Sequence, residues 1–207
     1  MKRNELNSEK NEVLYQVLIL FIIPITLVYS GLIPEEWRII FLSLFCLFII
    51  AIIKHEKWSN AQIGLRKDNI RKSLLPYSVI TLAGVICLYY FSNYFGLVKI
   101  VAWWENNHLI YFFIPISFFQ EFAYRSFLVP MLHHAFKKRV SVILVNATLF
   151  SFLHVIYPLP HIMLPVAFVA GIIFALLYEV YPNLFLISVM HAVLNFTAVY
   201  LGFFSVN

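Results

Sequence analysis

The stretch VLYQVLILFIIPITLVYSGLI, Val13 to Ile33, holds no Asp, Glu, Lys or Arg. About 20 such residues suffice to cross a hydrocarbon layer roughly 30 Å thick. Several further runs of the same kind follow, so the solvent for most of this chain is lipid. In lipid every backbone N–H and C=O must be satisfied within the protein, which leaves helices or closed barrels. The apolar runs are continuous and do not alternate, so helices are expected. Composition agrees: 62% of the 207 residues are hydrophobic and 12% charged, against about half and about a quarter in soluble domains.

The expected fold is all-α, a polytopic integral membrane bundle of about seven transmembrane helices, six to eight being compatible with the runs. Residues 1–207 form one membrane domain, opening with a polar tail over 1–12. Apolar runs at Val13–Ile33, Arg38–Ile53, Leu75–Tyr94, Val140–Tyr157, Ile162–Tyr178 and Asn183–Phe204 are the expected spans, with a longer run from His108 to Phe136. That last run exceeds one simple crossing, so it must tilt, bend near Pro115 or Pro130, or finish on the surface. Residues 54–74 carry six Lys or Arg against two acids, interleaved with Trp58, Ile63, Leu65 and Ile70. This reads as a basic amphipathic juxtamembrane segment on a lipid surface. Trp103 and Trp104 suit a headgroup-level link.

The net charge of +5 does not point to nucleic acid. Lys and Arg gather in short segments between apolar runs, where anionic lipid and topology account for them. The 54–74 segment and Lys137–Arg139 both face the cytoplasm if the N-terminus lies inside. The expected location is a cell inner (plasma) membrane. Lys2 and Arg3 precede an apolar run, but no small-residue cleavage site closes it, so the run is expected to be retained as the first helix. Cys46 and Cys87 read as small buried apolar residues.

Against this background a few polar groups stand out, because an ionisable group at membrane depth is costly unless paired or wetted. In SFFQEFAYRSFLVP, Ser117 to Pro130, Glu121 and Arg125 are at i and i+4 and share one helix face. Gln120 sits about 100° round the helix from Glu121. FSFLH places Phe150 one turn before His154 on the same face. HAVLN does the same with His191 and Asn195, so that Asn195 can orient the imidazole or donate to a polarised carbonyl. Glu179, at a helix end beside Tyr181 and Pro182, is explained by an interfacial position. His55, His108, His133, His134 and His161 read as interfacial too. The bland alternatives are a buried ion pair fastening helices and histidines bonding helix to helix. The sharper one is a site in which a carboxylate or imidazole activates water and another imidazole or an amide stabilises an oxyanion. No Ser or Cys stands in a nucleophile motif, so the sharper reading favours direct attack by water over an acyl-enzyme. Glu121, His154 and His191 are also the plausible ligands if a divalent metal is held, though their spacing is no standard zinc motif and no cofactor is required.

The three motifs in this order resemble the CPBP family, the CAAX prenyl protease and bacteriocin-processing or immunity (Abi-type) proteins, glutamic intramembrane proteases. The resemblance covers about 108–204, and IGLRKDN, Ile63 to Asn69, resembles the linker often found ahead of that core. It implies an intramembrane endopeptidase with its site inside a helical bundle. By position, Arg125 is the family's helix-stabilising arginine, His154 the histidine that activates water with the first glutamate, and His191 and Asn195 the oxyanion or orienting pair. Phe150 is the phenylalanine of the histidine motif. Glu121 matches the second glutamate of the family's paired acids, and Gln120 stands where the first, the general base, belongs. An amide is not a base near neutral pH. Glu121 then takes over from a differently set helix, or His154 is the base with Gln120 positioning water or substrate, or the fold serves without catalysis as an immunity or interaction protein. The partners implied are membrane lipid and a peptide or protein substrate, such as a membrane-anchored sorting segment, a leader peptide or a prenylated tail.

Overall fold

Helix dominates the described residues and none of them lies in a strand, as backbone in lipid demands. The computed structural model describes residues 2–99 and 107–204, with side chains for 10–34, 36–37, 39–99 and 113–204. Trp103, Trp104 and the His108 side chain lie outside the described residues.

The helices are α1 (Lys2–Val17), α2 (Ile23–Tyr29), α3 (Arg38–His55), α4 (Ile70–Tyr94), α5 (Asn107–Glu121), α6 (Leu128–Ala135), α7 (Arg139–Leu153), α8 (Pro160–Val180) and α9 (Leu184–Tyr200). A π-helical turn, Leu18–Ile22, joins α1 to α2, and a second, Phe122–Phe127, joins α5 to α6. The polar start is helical from Lys2 and feeds directly into the first apolar run.

The expectation of about seven transmembrane helices is not met. Among the described residues four helices are long and apolar enough to cross a membrane: Lys10–Tyr29, Ile70–Tyr94, Arg139–Ile156 and Pro160–Val180. The runs expected to span at Arg38–Ile53 and Asn183–Phe204 contain apolar helices of only 17 residues, Ile39–His55 and Leu184–Tyr200. At 1.5 Å per residue each reaches about 26 Å, short of the layer. The long run after His108 is divided by the π-helical turn at Phe122–Phe127. Counting apolar letters overlooks where regular helix stops. The chain is nonetheless a multi-pass helical membrane protein.

The loops sort to two ends. At one end Lys10 Nζ lies 5.7 Å from the Phe136 ring centre, and Trp58 stacks on Phe127 at 5.6 Å. The same end holds Arg139, whose Nε is 3.2 Å from Glu179 Oε2, and His133, whose Nε2 is 2.5 Å from Glu179 Oε1. Glu179, one residue from the end of α8, is thus pinned by two neighbours. Within the 54–74 segment, residues 56–69 form turns between α3 and α4 and dock on the α8–α9 corner. Gly64 adopts φ +71 and accepts a 2.9 Å hydrogen bond from the Leu184 amide, and a Cβ there would collide with the Tyr178 hydroxyl. Both the conformation and the close approach call for glycine. Asn183 donates to the Arg66 carbonyl and to Asn69 Oδ1, while Asn69 donates to the Pro182 carbonyl.

Packing puts the segment from Gln120 to Val129 at the centre. Every residue in it is buried, Arg125 and Glu121 completely. Helix α5 lies on α9, α6 on α1, and α7 on α8. The α7–α8 contact is close because Gly171 has no side chain; a Cβ would fall 2.9 Å from Ala147 Cα. Cys46 is buried as expected, but Cys87 is exposed, since α4 buries little of itself against its neighbours.

Candidate active site

Glu121 closes α5 and Arg125 follows within the π-helical turn. Their i,i+4 placement sets Arg125 Nε 3.4 Å from Glu121 Oε2. From α9, His191 brings Nδ1 to 2.7 Å from Glu121 Oε1. All three residues are buried, and His191 is only 3% exposed. These approaches are close but poorly aligned. Both Glu121 oxygens, all three guanidinium nitrogens of Arg125 and His191 Nδ1 lack a directional hydrogen bond within the protein. A carboxylate oxygen only accepts, and the ring atom that faces it at 2.7 Å is His191 Nδ1.

Phe150 organises the remainder. The Arg125 guanidinium carbon lies 4.5 Å from its ring centre, His191 is 5.6 Å away centre to centre and His154 4.9 Å. Phe174 of α8 closes the cage, 5.5 Å from the guanidinium carbon and 5.4 Å from the His191 ring. Two aromatic faces therefore flank the cation at distances where ring quadrupoles attract it. His154 caps α7, and its Nδ1 is 2.8 Å from the Phe150 carbonyl. A carbonyl only accepts, so Nδ1 carries the proton and neutral His154 also presents a lone pair on Nε2. Both imidazoles thus lie against one phenyl ring.

Glu121, Arg125, His191, Phe150 and His154 come together. Asn195 does not join His191: its Nδ2 donates to Ser117 Oγ at 3.0 Å, tying α9 to α5. Gln120 is buried, and its amide makes no protein hydrogen bond among the described residues. Sequence reasoning passed over Asn146, which is fully buried and donates 2.6 Å to the Tyr124 carbonyl within the π-helical turn. Wider turns misalign backbone groups, and Asn146 satisfies one of them. Its signal was legible: Asn146, Phe150 and His154 repeat every four residues along one face of α7. No three His, Cys, Asp or Glu side chains among the described residues gather as a metal ligand set. In particular His154 turns Nδ1 to a backbone carbonyl while His191 turns Nδ1 to Glu121.

Residues 102–197 match the family model described as type II CAAX prenyl endopeptidase Rce1-like. The chain carries a CAAX-protease-like domain. That span is just under half of the chain and contains every residue of the buried cluster. No curated protein and no solved structure matches the chain.

Proposed function

We propose that the protein is an intramembrane endopeptidase that hydrolyses a peptide bond of a membrane-associated protein by activated water, without an acyl-enzyme. The observation that carries this reading is the buried Glu121–His191–Arg125 group, with six polar atoms lacking aligned protein partners, joined to His154 across Phe150. Buried polar groups are normally satisfied, and a membrane bundle retains exceptions at functional sites.

Both Glu121 oxygens already face Arg125 and His191, so this carboxylate serves best as a fixed charge. The proton is moved by imidazole. One Nε2 takes a proton from water as the water oxygen adds to the scissile carbonyl carbon. The Arg125 guanidinium, whose three nitrogens lack aligned protein partners, stabilises the oxyanion. The C–N bond then breaks, the proton passes to the leaving nitrogen, and a carboxylic acid and an amine result. Gln120, neutral and next to Glu121, has a positioning role for water or substrate. Asn195 acts by holding α9 against α5. The substrate is an apolar membrane-anchored segment, leader or tail. The location is a cell inner (plasma) membrane with the N-terminus in the cytoplasm. Lys10, the basic residues of 54–74 and Lys137–Arg139 share one end of the bundle, and cytoplasmic ends are the positive ones.

The rival is a non-catalytic membrane immunity or interaction protein, favoured by one observation, the amide at Gln120 in place of a base. Cleavage of a membrane-tethered peptide by wild type, H154A, H191A and E121Q separates them. The hydrolytic reading expects a drop of about 100-fold or more in H154A and H191A with normal insertion. Equal cleavage by all four proteins would discard the mechanism.

A further inference from the structure

The π-helical turn that carries Arg125 leaves its own backbone short of donors. The Leu128 amide reaches back five residues to the Ala123 carbonyl. Pro130, two places on, has no N–H to give. At spacings of four and five residues, the Tyr124 and Arg125 carbonyls are therefore left to share the Val129 amide. Asn146 supplies the missing donor from α7: its Nδ2 lies 2.6 Å from the Tyr124 carbonyl oxygen, and the residue is fully buried. It stands there at a cost, because its Oδ1 is buried with no hydrogen-bond partner among the described residues. A side chain present only to fill space would be apolar.

One turn further along α7, Phe150 meets the same segment through its side chains. Its ring centre is 5.4 Å from that of Tyr124 and 4.5 Å from the Arg125 guanidinium carbon, with Phe174 5.5 Å from that carbon. Rings attract the cation without engaging its N–H groups, and Glu121 Oε2 at 3.4 Å makes no aligned bond to it. The direction of the guanidinium is therefore set by where the backbone launches the side chain. One residue more or fewer in the turn rotates that direction by about 100°. We propose that Asn146 is a positioning residue: by holding the Tyr124 carbonyl it fixes the π-helical turn and so aims the Arg125 guanidinium at the oxyanion. The role of Arg125 rests on the hydrolytic reading; the hold on the turn stands without it. Asn146, Phe150 and His154, four residues apart on α7, then give the site its backbone hold, its ring and its imidazole.

Asn146→Leu, close in volume and unable to donate, tests it, with Asn146→Ala alongside as a variant too small to clash. In the first arm, hydrogen exchange is followed by mass spectrometry on the full chain in detergent. Peptides across 122–129 should exchange about 10-fold faster or more in both variants, with α8 and α9 as in wild type. Unchanged exchange in 122–129 overturns the inference, and so does faster exchange throughout the bundle, which marks a general packing residue. The second arm is cleavage of a membrane-tethered peptide, expressed per folded molecule. In N146L kcat should fall about 10-fold or more while KM stays within about twofold, because the aimed guanidinium serves the transition state. In an Arg125→Lys background, which keeps the charge without the planar fork, N146L should lower kcat by less than about twofold. Equal drops in the two backgrounds overturn the inference. No cleavage by wild type discards the hydrolytic reading and the aim at an oxyanion together, while the exchange arm still decides whether Asn146 holds the turn.

Discussion

Two buried polar regions in this bundle are built on opposite terms. At the basic end, Asn183 accepts from the Leu186 amide at 3.0 Å and donates to Arg66 O at 2.9 Å and Asn69 Oδ1 at 2.8 Å. Asn69 passes the chain of bonds on to Pro182 O at 2.9 Å. Amide and carbonyl groups here close on one another, and the result is a clamp between the 54–74 turns and the start of α9. In the middle of the bundle, Glu121, Arg125 and His191 approach within 2.7–3.4 Å yet leave their polar atoms without aligned bonds. A fully satisfied network fixes one structure; a half-satisfied one is costly and persists where chemistry needs it. The comparison predicts that damage to the first region appears as lost stability, and damage to the second as lost activity, except where removing a partner strands a charge.

Arg125→Ala is that exception and carries the largest expected effect. It leaves the buried Glu121 carboxylate with His191 but no fixed cation beside it, a loss of about 3–5 kcal/mol, seen as failure to accumulate or a collapse of the thermal midpoint in detergent. A change below about 1 kcal/mol would mean that the pair is well solvated and that the contrast between the regions is false. Asn183→Ala comes next. It removes a helix cap and two donated bonds, for about 2 kcal/mol, and should speed proteolysis within 54–74 while cleavage per folded molecule is unchanged. His154→Ala should do the reverse. Its loss of stability stays near 1 kcal/mol, the worth of one hydrogen bond, while activity falls about 100-fold. The smallest effect concerns Asp68, whose carboxyl is held below the usual range by its hydrogen bond from Arg66. A depressed folded-state value gives support that is present above the ordinary carboxylate range and fades as pH falls through the lowered one. Wild type should therefore resist proteolysis in the 54–74 turns slightly better than D68N at pH 7, and equally once Asp68 is protonated.

Sequence alone conveyed the class of fold because hydrocarbon solvent is so restrictive: continuous runs without charge admit little but helix. It conveyed the cluster because Glu121, His154 and His191 are expensive in such runs. What it missed came from geometry that letters do not encode. The number of membrane-length helices was overstated since apolarity continues through the π-helical turn at Phe122–Phe127 and past the end of α9, and since the apolar helix Ile39–His55 is itself too short. Asn195 was expected beside His191, one turn away on the same helix, but a hydroxyl on a neighbouring helix, that of Ser117, lies within better reach. The bonds between the 54–74 segment and the α8–α9 corner were not legible either, because they depend on long-range approach.

The π-helical turn at Phe122–Phe127 has a consequence for homology itself. A turn closed by i→i+5 bonds holds one residue more than its α-helical equivalent, so side chains beyond it are displaced round the axis by about 100° relative to an uninterrupted helix. That is the angle between Gln120 and Glu121. Across such a turn, matching letters by count and matching side chains by direction give answers one residue apart. Counted back from α6, a relative lacking the extra residue would aim its following position where this chain aims Glu121. Position number and spatial office are then separate properties, and within 122–127 a one-residue gap changes which side chains face the bundle centre.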